Sequence, residues 1–262
     1  NGRGKNGGFH SLIAVDELGE VVWYTKPSDV LFDDVRRLSN GNLIYIDDAG
    51  HFEIGEIDML GNVVRRWFAS SAEQANPGDI VVDTERFHHE IFEMVNGNFL
   101  VLSVELRDVD DFPTSDSDPN APHETAVVAA DTIVEFSPVD GTIVNEGGTR
   151  DWAHANAVIH DPSDDSIIVS LRHQDAVVKF SRQTGQIIWI LGTHDNWDLA
   201  KFGSFLLNPV GDNFLFQYHQ HAPEVTENGN ILLFDNGNFK ASPFAPKLTA
   251  PENFSRAVEF SI

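Results

Sequence analysis

QYHQHAPEVTENGNILLFDN, residues 217–236, carries the pattern that decides the fold. His219 and His221 stand just before an apolar run. A polar turn follows at Asn228-Gly229-Asn230, and Ile231 to Phe234 form a second apolar run. Asn-Gly between apolar runs is the strongest short-range hairpin signal. The histidines therefore stand at the entrance of a strand pair, and the rest of the chain repeats that arrangement.

Working outward, FHHEIFEMVNGNFLVLSVE begins at Phe87, and DWAHANAVIHDPSDDSIIVSLRHQ begins at Asp151. An earlier unit, VLFDDVRRLSNGNLIYIDD, begins at Val30, and SLIAVDELGEVVWY precedes it from Ser11. Each unit is a run of short alternating strands joined by Gly, Asn and Asp turns, with no helical period. Repeats of this kind mean a solenoid or a propeller. About four strands per unit favour an all-β fold, a β-propeller of four-stranded blades around a central channel. About four blades are readable, which predicts one propeller domain over residues 1–262, incomplete at its ends.

Counting fixes the register. His89 lies seven residues before Asn96, His221 seven before Asn228, His154 seven before Asp161 and Asp33 seven before Asn40. These positions are separated by 56, 65 and 67 residues (89 − 33, 154 − 89 and 221 − 154). The intervals exceed a blade of ~40–45 residues, and long loops at Leu106 to Glu124 and Thr193 to Asn208 are expected to absorb the excess. Inner strands line a propeller's channel, so equivalent positions near their starts converge. Three histidines there predict a site. His88 and His219 flank the register and are expected on the opposite faces of their strands, whereas His10, His51, His123, His160 and His194 read as solvated.

Composition narrows the partners. The chain has 262 residues with 41 Asp plus Glu against 17 Lys plus Arg, a formal charge of −24. That balance repels nucleic acid and anionic membranes. It suits concentrated salt, where self-repulsion is screened, and equally an acidic secreted protein. No apolar run approaches the ~20 residues of a membrane span, and NGRGKNGG at the start shows no secretory h-region. With no cysteine there is neither a thiolate nucleophile nor a Cys-ligated zinc.

Arg172 and His173 end the predicted strand SIIVSLRH, one hairpin after His154. Arg offers a planar fork of donors for a sulfate, phosphate or carboxylate, although surface pairing with a carboxylate explains it too. Asn156 is placed either to donate to an oxyanion or to support its turn. Trp152 reads as packing between blades. P-loop, HExxH and GxSxG motifs are missing, and the acidic loops lack EF-hand spacing.

FHHE, DWAHANAV, SLRHQDAVVKF, WILG, QHAPE and NGNILLFDNG, in this order, resemble the bacterial arylsulfate sulfotransferases. The resemblance runs from about Val15 to Ile262 and is strongest between Asp151 and Asn238. It implies a six-bladed propeller that transfers sulfuryl groups without a nucleotide donor or any other cofactor, in the periplasm or outside the cell. By the family's motifs, His221 matches the transiently sulfurylated histidine, and His154 and Arg172 match the residues that bind the sulfuryl group. His89 matches the histidine near the acceptor, with His88 as its other register. His88, Asn156, His173 and His219 are expected to bind substrate. Larger family members carry an N-terminal β-sandwich and more blades, which this sequence lacks, and Ala157 stands where Ser is frequent.

The residue types suit this chemistry. A neutral imidazole can hold a sulfuryl group covalently and split one transfer into two. Arg172 and a protonated His154 would stabilise the equatorial oxygens, and His89 would move the phenolic proton. The expected partners are an aryl sulfate and a phenol. Two readings stand beside this one. In a metal-dependent propeller lyase or oxygenase, His89, His154 and His221 would be ligands and Arg172 would hold a carboxylate. In the other, the propeller binds without catalysis.

Overall fold

A computed structural model describes residues 11–26, 30–47, 53–72, 76–115, 118, 120–148, 153–211, 214–240, 246–249 and 252–262. Strands β1 (Leu12–Val15) and β2 (Val21–Thr25) pair as a hairpin around Leu18-Gly19. Strands β3 (Phe32–Arg37), β4 (Leu43–Asp47), β5 (Glu53–Ile57), β6 (Val63–Ala69) and β7 (Ile80–Val82) follow in one sheet, with only β7 parallel to its neighbour. The second sheet holds β8 (His88–Glu93), β9 (Phe99–Pro113), β10 (His123–Phe136) and β11 (Ile143–Gly148). The third is β12 (Ala155–Asp161), β13 (Ser166–Leu171), β14 (Ala176–Ser181) and β15 (Ile187–Gly192). In the fourth, β16 (His221–Val225), β17 (Ile231–Asp235) and β18 (Arg256–Phe260) complete the chain. These four sheets are the blades of the expected all-β propeller. Among the described residues helix is limited to short turns, including α1 (Leu199–Phe202), capped by Asp198, and a 3-10 turn at Arg172–Gln174.

The turns that punctuate the sequence also anchor the blades. In the first blade Leu38 donates to the Asn42 carbonyl, and Gly41 takes φ 90°, which its missing Cβ permits. Asn40 and Asn42 then direct both side-chain amides to Glu56 on β5, at 2.9 and 2.6 Å. Asn96 and Asn98 do the same to Glu135 on β10, at 3.1 and 2.7 Å. Asn230 reaches Glu259 on β18 at 2.7 Å. In the third blade the signs invert, since Lys179 on β14 pairs with Asp161 and Asp164 of the turn at 2.7 and 2.9 Å. A glutamate or lysine on each third strand thus locks the first hairpin of its blade. That fixes where the inner strand begins.

Between blades the core is apolar and close-packed. Trp67, Ile54 and Ile44 of the first blade meet Val101, Val134 and Phe136 of the second. The indole N–H of Trp67 donates across to Pro138 O at 2.9 Å. Leu100 and Leu102 meet Val158, Val169 and Ile190 of the third blade, and Ile159, Ile168 and Leu191 meet Ile231, Leu233 and Phe260 of the fourth.

Four expectations need correction. The segment Leu106 to Glu124 is largely strand, because the β9–β10 ladder continues outward to the Pro113–His123 pair. Its outer half is acidic and exposed, so no apolar alternation marks it. Thr193 to Asn208 contains α1. His160 is no solvated residue: its side chain is 8% exposed and bonds Asp165 at 3.0 Å. His194 is half-buried and bonds the Leu207 carbonyl at 2.9 Å. His10, His51 and Trp152 lie outside the described residues.

Candidate active site

The inner strands β3, β8, β12 and β16 each begin with an irregular register. The breaks fall between Phe32 and Val35, His88 and Ile91, Ala155 and Ala157, and His221 and Glu224. A bulge re-aims side chains at a strand end, and here the backbone turns left-handed. His89 has φ 58°, His154 φ 48°, His219 φ 53° and Ala222 φ 49°. Non-glycine residues hold that conformation only where neighbours fix it. Carboxylates, buried at Asp131 and Asp175 and exposed at Asp33, do so by accepting backbone N–H groups across the blades. His89 N–H donates to Asp33 at 2.7 Å, Ala155 N–H to Asp131 at 2.8 Å and His219 N–H to Asp175 at 2.6 Å.

The counted histidines do converge. The His88 and His89 rings are 5.1 Å apart edge to face, His89 and His154 are 5.2 Å apart, and His154 stacks on His173 at 4.7 Å. Arg172 follows β13 on the 3-10 turn, where its backbone N–H donates to the His154 carbonyl at 3.0 Å. Its positive charge is felt at His154, His219 and His221 alike. Among the described residues no carboxylate pairs with the Arg172 guanidinium, despite 41 acidic residues in the chain.

The segment before His221 is pinned from below. Gln217 and Gln220 are fully buried. Gln217 donates to the carbonyls of Leu191 and Asp175, and Gln220 to Ser170 Oγ and to the carbonyls of Ala176 and Leu171. Asn156, 4% exposed, gives its amide to the Gln220 carbonyl at 2.8 Å. That bond ties Asn156 to the segment before His221 and not to its own turn. His221 itself is half-buried, with Nδ1 2.8 Å from Asn236 Oδ1. His219 sits between Asp175, 3.4 Å from its Nδ1, and the edge of the Phe239 ring.

Burial and mutual charge lower the basicity of His154, His219 and His221. Desolvation, then neighbouring His173, His89 and Arg172, pushes His154 down to about 4. Desolvation with Arg172, His173 and Lys247 does the same for His219, to about 4. His221 is lowered by burial, against the Asn236 bond. At His154, which the sequence reading took as protonated, burial and the neighbouring charges favour the neutral ring. Asp175 moves the other way, to about 7, because burial outweighs the His219 N–H bond and Arg172. Among the described residues no three His, Asp or Glu side chains are grouped as metal ligands.

Imidazoles of lowered basicity thus gather around a guanidinium that has no carboxylate partner among the described residues. The sequence profile of the family described as "Arylsulfotransferase (ASST)" matches residues 5–262. The chain belongs to this family. It is 35% identical over 140 residues to "Arylsulfate sulfotransferase AssT" of Escherichia coli O6:H1, and 32% over 140 residues to the protein of that name from Lelliottia amnigena. Each match covers 47% of this chain and 22% of the relative's length. A solved protein of unknown function from Bacteroides caccae aligns with TM-score 0.46 at 14% identity, over 84% of this chain and 61% of that one.

Sequence reasoning missed Asn236, Gln217, Gln220, Asp131 and Asp175. Asn236 had a faint signal, closing the opening stretch directly after β17. The buried glutamines carried one too, since QYHQH is polar where a blade ought to be apolar.

Proposed function

We propose that this protein transfers a sulfuryl group from an aryl sulfate to a phenol through a sulfo-histidine at His221, with no nucleotide donor. The observation that carries the reading is the His221–Asn236 bond. An amide oxygen only accepts, so neutral His221 places its proton on Nδ1 and its lone pair on Nε2. That is the form of imidazole that can attack sulfur.

In the donor step Nε2 bonds to sulfur, the sulfur–oxygen bond to the aryl group breaks, and the electron pair leaves on the phenolate. The imidazole becomes an N-sulfo imidazolium whose Nδ1–H stays on Asn236. Arg172 and N–H groups of His154 and His173 face the three sulfuryl oxygens, where charge must be met. In the acceptor step a second phenol gives its proton to His89 and attacks sulfur, and the pair of the breaking S–N bond returns to Nε2. The proton collected by His89 is available to the next departing phenolate. A phenolate with a pKa of about 10 leaves without a metal. Asn156, Gln217 and Gln220 hold His221 in place, and His219 walls the site on the Phe239 side. By the same family resemblance the enzyme works in the periplasm or outside the cell.

The test is release of 4-nitrophenol from 4-nitrophenyl sulfate, with and without a second phenol, after EDTA treatment and at low and high salt. Release that depends on the acceptor and survives EDTA is expected. No release in any salt removes the substrate assignment, and loss on chelation transfers the histidines to a metal.

A pH profile follows from the lowered His221. The nucleophile works only unprotonated, so a depressed pKa carries the acid limb downward. The acid midpoint of kcat/KM, which reports the free enzyme, is expected below the ordinary histidine value of about 6.5. A midpoint at or above that value contradicts the buried, neutral nucleophile.

A further inference from the structure

His88 has no nitrogen left for substrate. Its Nε2 lies 2.9 Å from the Ser103 carbonyl and 3.7 Å from Asp131 Oδ1, and its Nδ1 lies 2.9 Å from Nδ1 of His89. A carbonyl oxygen has no proton, so His88 Nε2 must carry one. Burial pushes His88 down to about 4, with the His89 charge acting in the same direction. The ring is therefore neutral at neutral pH, and its Nδ1 is a bare acceptor. The proton in the short contact between the two rings then belongs to His89 Nδ1. That leaves the lone pair of His89 on Nε2.

We infer that His88 is a positioning residue that sets the tautomer of His89, making His89 Nε2 the base that receives the acceptor's phenolic proton. This rests on the transferase reading for the identity of the proton, but not for the tautomer. The Ser103 carbonyl starts the relay, and its own strand is fixed because Ser103 Oγ and Thr84 Oγ1 share a buried hydrogen bond at 2.6 Å. Asp33 holds the His89 backbone through its N–H, so the ring is fixed at both ends. Outer partners that set a ring's tautomer are a recurrent device at imidazole sites. Here the partner is a second histidine one residue upstream. The left-handed backbone at His89 is what lets adjacent side chains meet, where an extended strand would send them to opposite faces.

The test has two arms, both on the full chain. Nitrogen-15 NMR of the histidine-labelled protein at neutral pH is expected to show His89 protonated at Nδ1 and bare at Nε2. In His88→Phe, which removes the acceptor, His89 is expected to lose that preference. His88→Asn, whose Oδ1 can accept the same proton, should restore it. In kinetics, the transfer from sulfo-enzyme to phenol should slow by about ten- to a hundredfold in His88→Phe. It should recover in part in His88→Asn. A parent His89 protonated at Nε2 overturns the inference, as does an acceptor step that His88→Phe leaves alone. The NMR arm needs no substrate and the parent spectrum needs no variant. A parent protein without a burst therefore counts against the transferase reading, while the spectrum still decides the tautomer.

Discussion

His221→Ala is expected to lower the release of 4-nitrophenol from 4-nitrophenyl sulfate by about 10⁴-fold or more, the scale seen when a covalent nucleophile is removed. Six histidines lie close enough to matter, so the choice of this one needs its own argument. His88 has both nitrogens engaged, and His173 stacks flat on His154 and is exposed. His89 likewise has its Nδ1 engaged, with His88, and its free Nε2 is assigned to the acceptor's proton. His221 alone combines a fixed Nδ1–H, set by Asn236, with half-burial and the nearby charge of Arg172. The same geometry predicts a covalent adduct. Mass spectrometry of parent protein quenched during turnover without an acceptor is expected to find one SO₃ group on the peptide holding His221, and none in the alanine variant. A folded variant that keeps more than about a tenth of the activity moves the nucleophile elsewhere, with His89 the next candidate. Near-normal circular dichroism is expected for the variant, because Gln217 and Gln220 pin the segment independently of the imidazole.

The convergence of histidines was legible because a propeller converts linear spacing into rotation about one axis. Counting from each turn back to the strand start needs only the turns, and those are spelled by Asn-Gly. The counted register placed His89, His154 and His221 correctly at inner strand heads, together with Asp33. What the count could not supply was direction. Alternation assigns neighbours such as His88 and His89 to opposite faces, yet positive φ at His89 brings the two rings together. Backbone held by a carboxylate 56 residues away leaves no local trace in sequence. Nor do the turn anchors, since Glu56, Glu135 and Glu259 look like three of many acidic residues until their amide partners are seen. The acidic extension of β9 and β10 was hidden for a related reason. A strand pair exposed on both faces shows no apolar period, and only its ladder reveals it.

Arg172→Ala is expected to cost about 10²–10³-fold in kcat/KM, the loss typical of removing one preorganised donor at a site of developing charge. The chain's own charge makes the case. With a formal charge of −24, an anionic ester approaches against repulsion. Among the described residues no carboxylate pairs with the guanidinium, and on the transferase reading that free fork is what offsets the repulsion. Its placement is structural as well, since the 3-10 turn presents it beside His154 through the backbone bond to that residue's carbonyl. Two further outcomes separate binding of the sulfuryl group from mere support of the turn. Arg172→Lys is expected to recover only part of the loss, because an ammonium is a point charge and cannot span two sulfuryl oxygens as a planar fork does. Removing the cation also removes a positive charge that disfavours protonation of His154, His219 and His221. The acid limb of kcat/KM in Arg172→Ala should therefore move to higher pH than in the parent protein. A turn-supporting arginine predicts lower thermal stability with the limb unmoved. An alanine variant that keeps both rate and acid limb would take Arg172 out of the site and return the guanidinium to the surface.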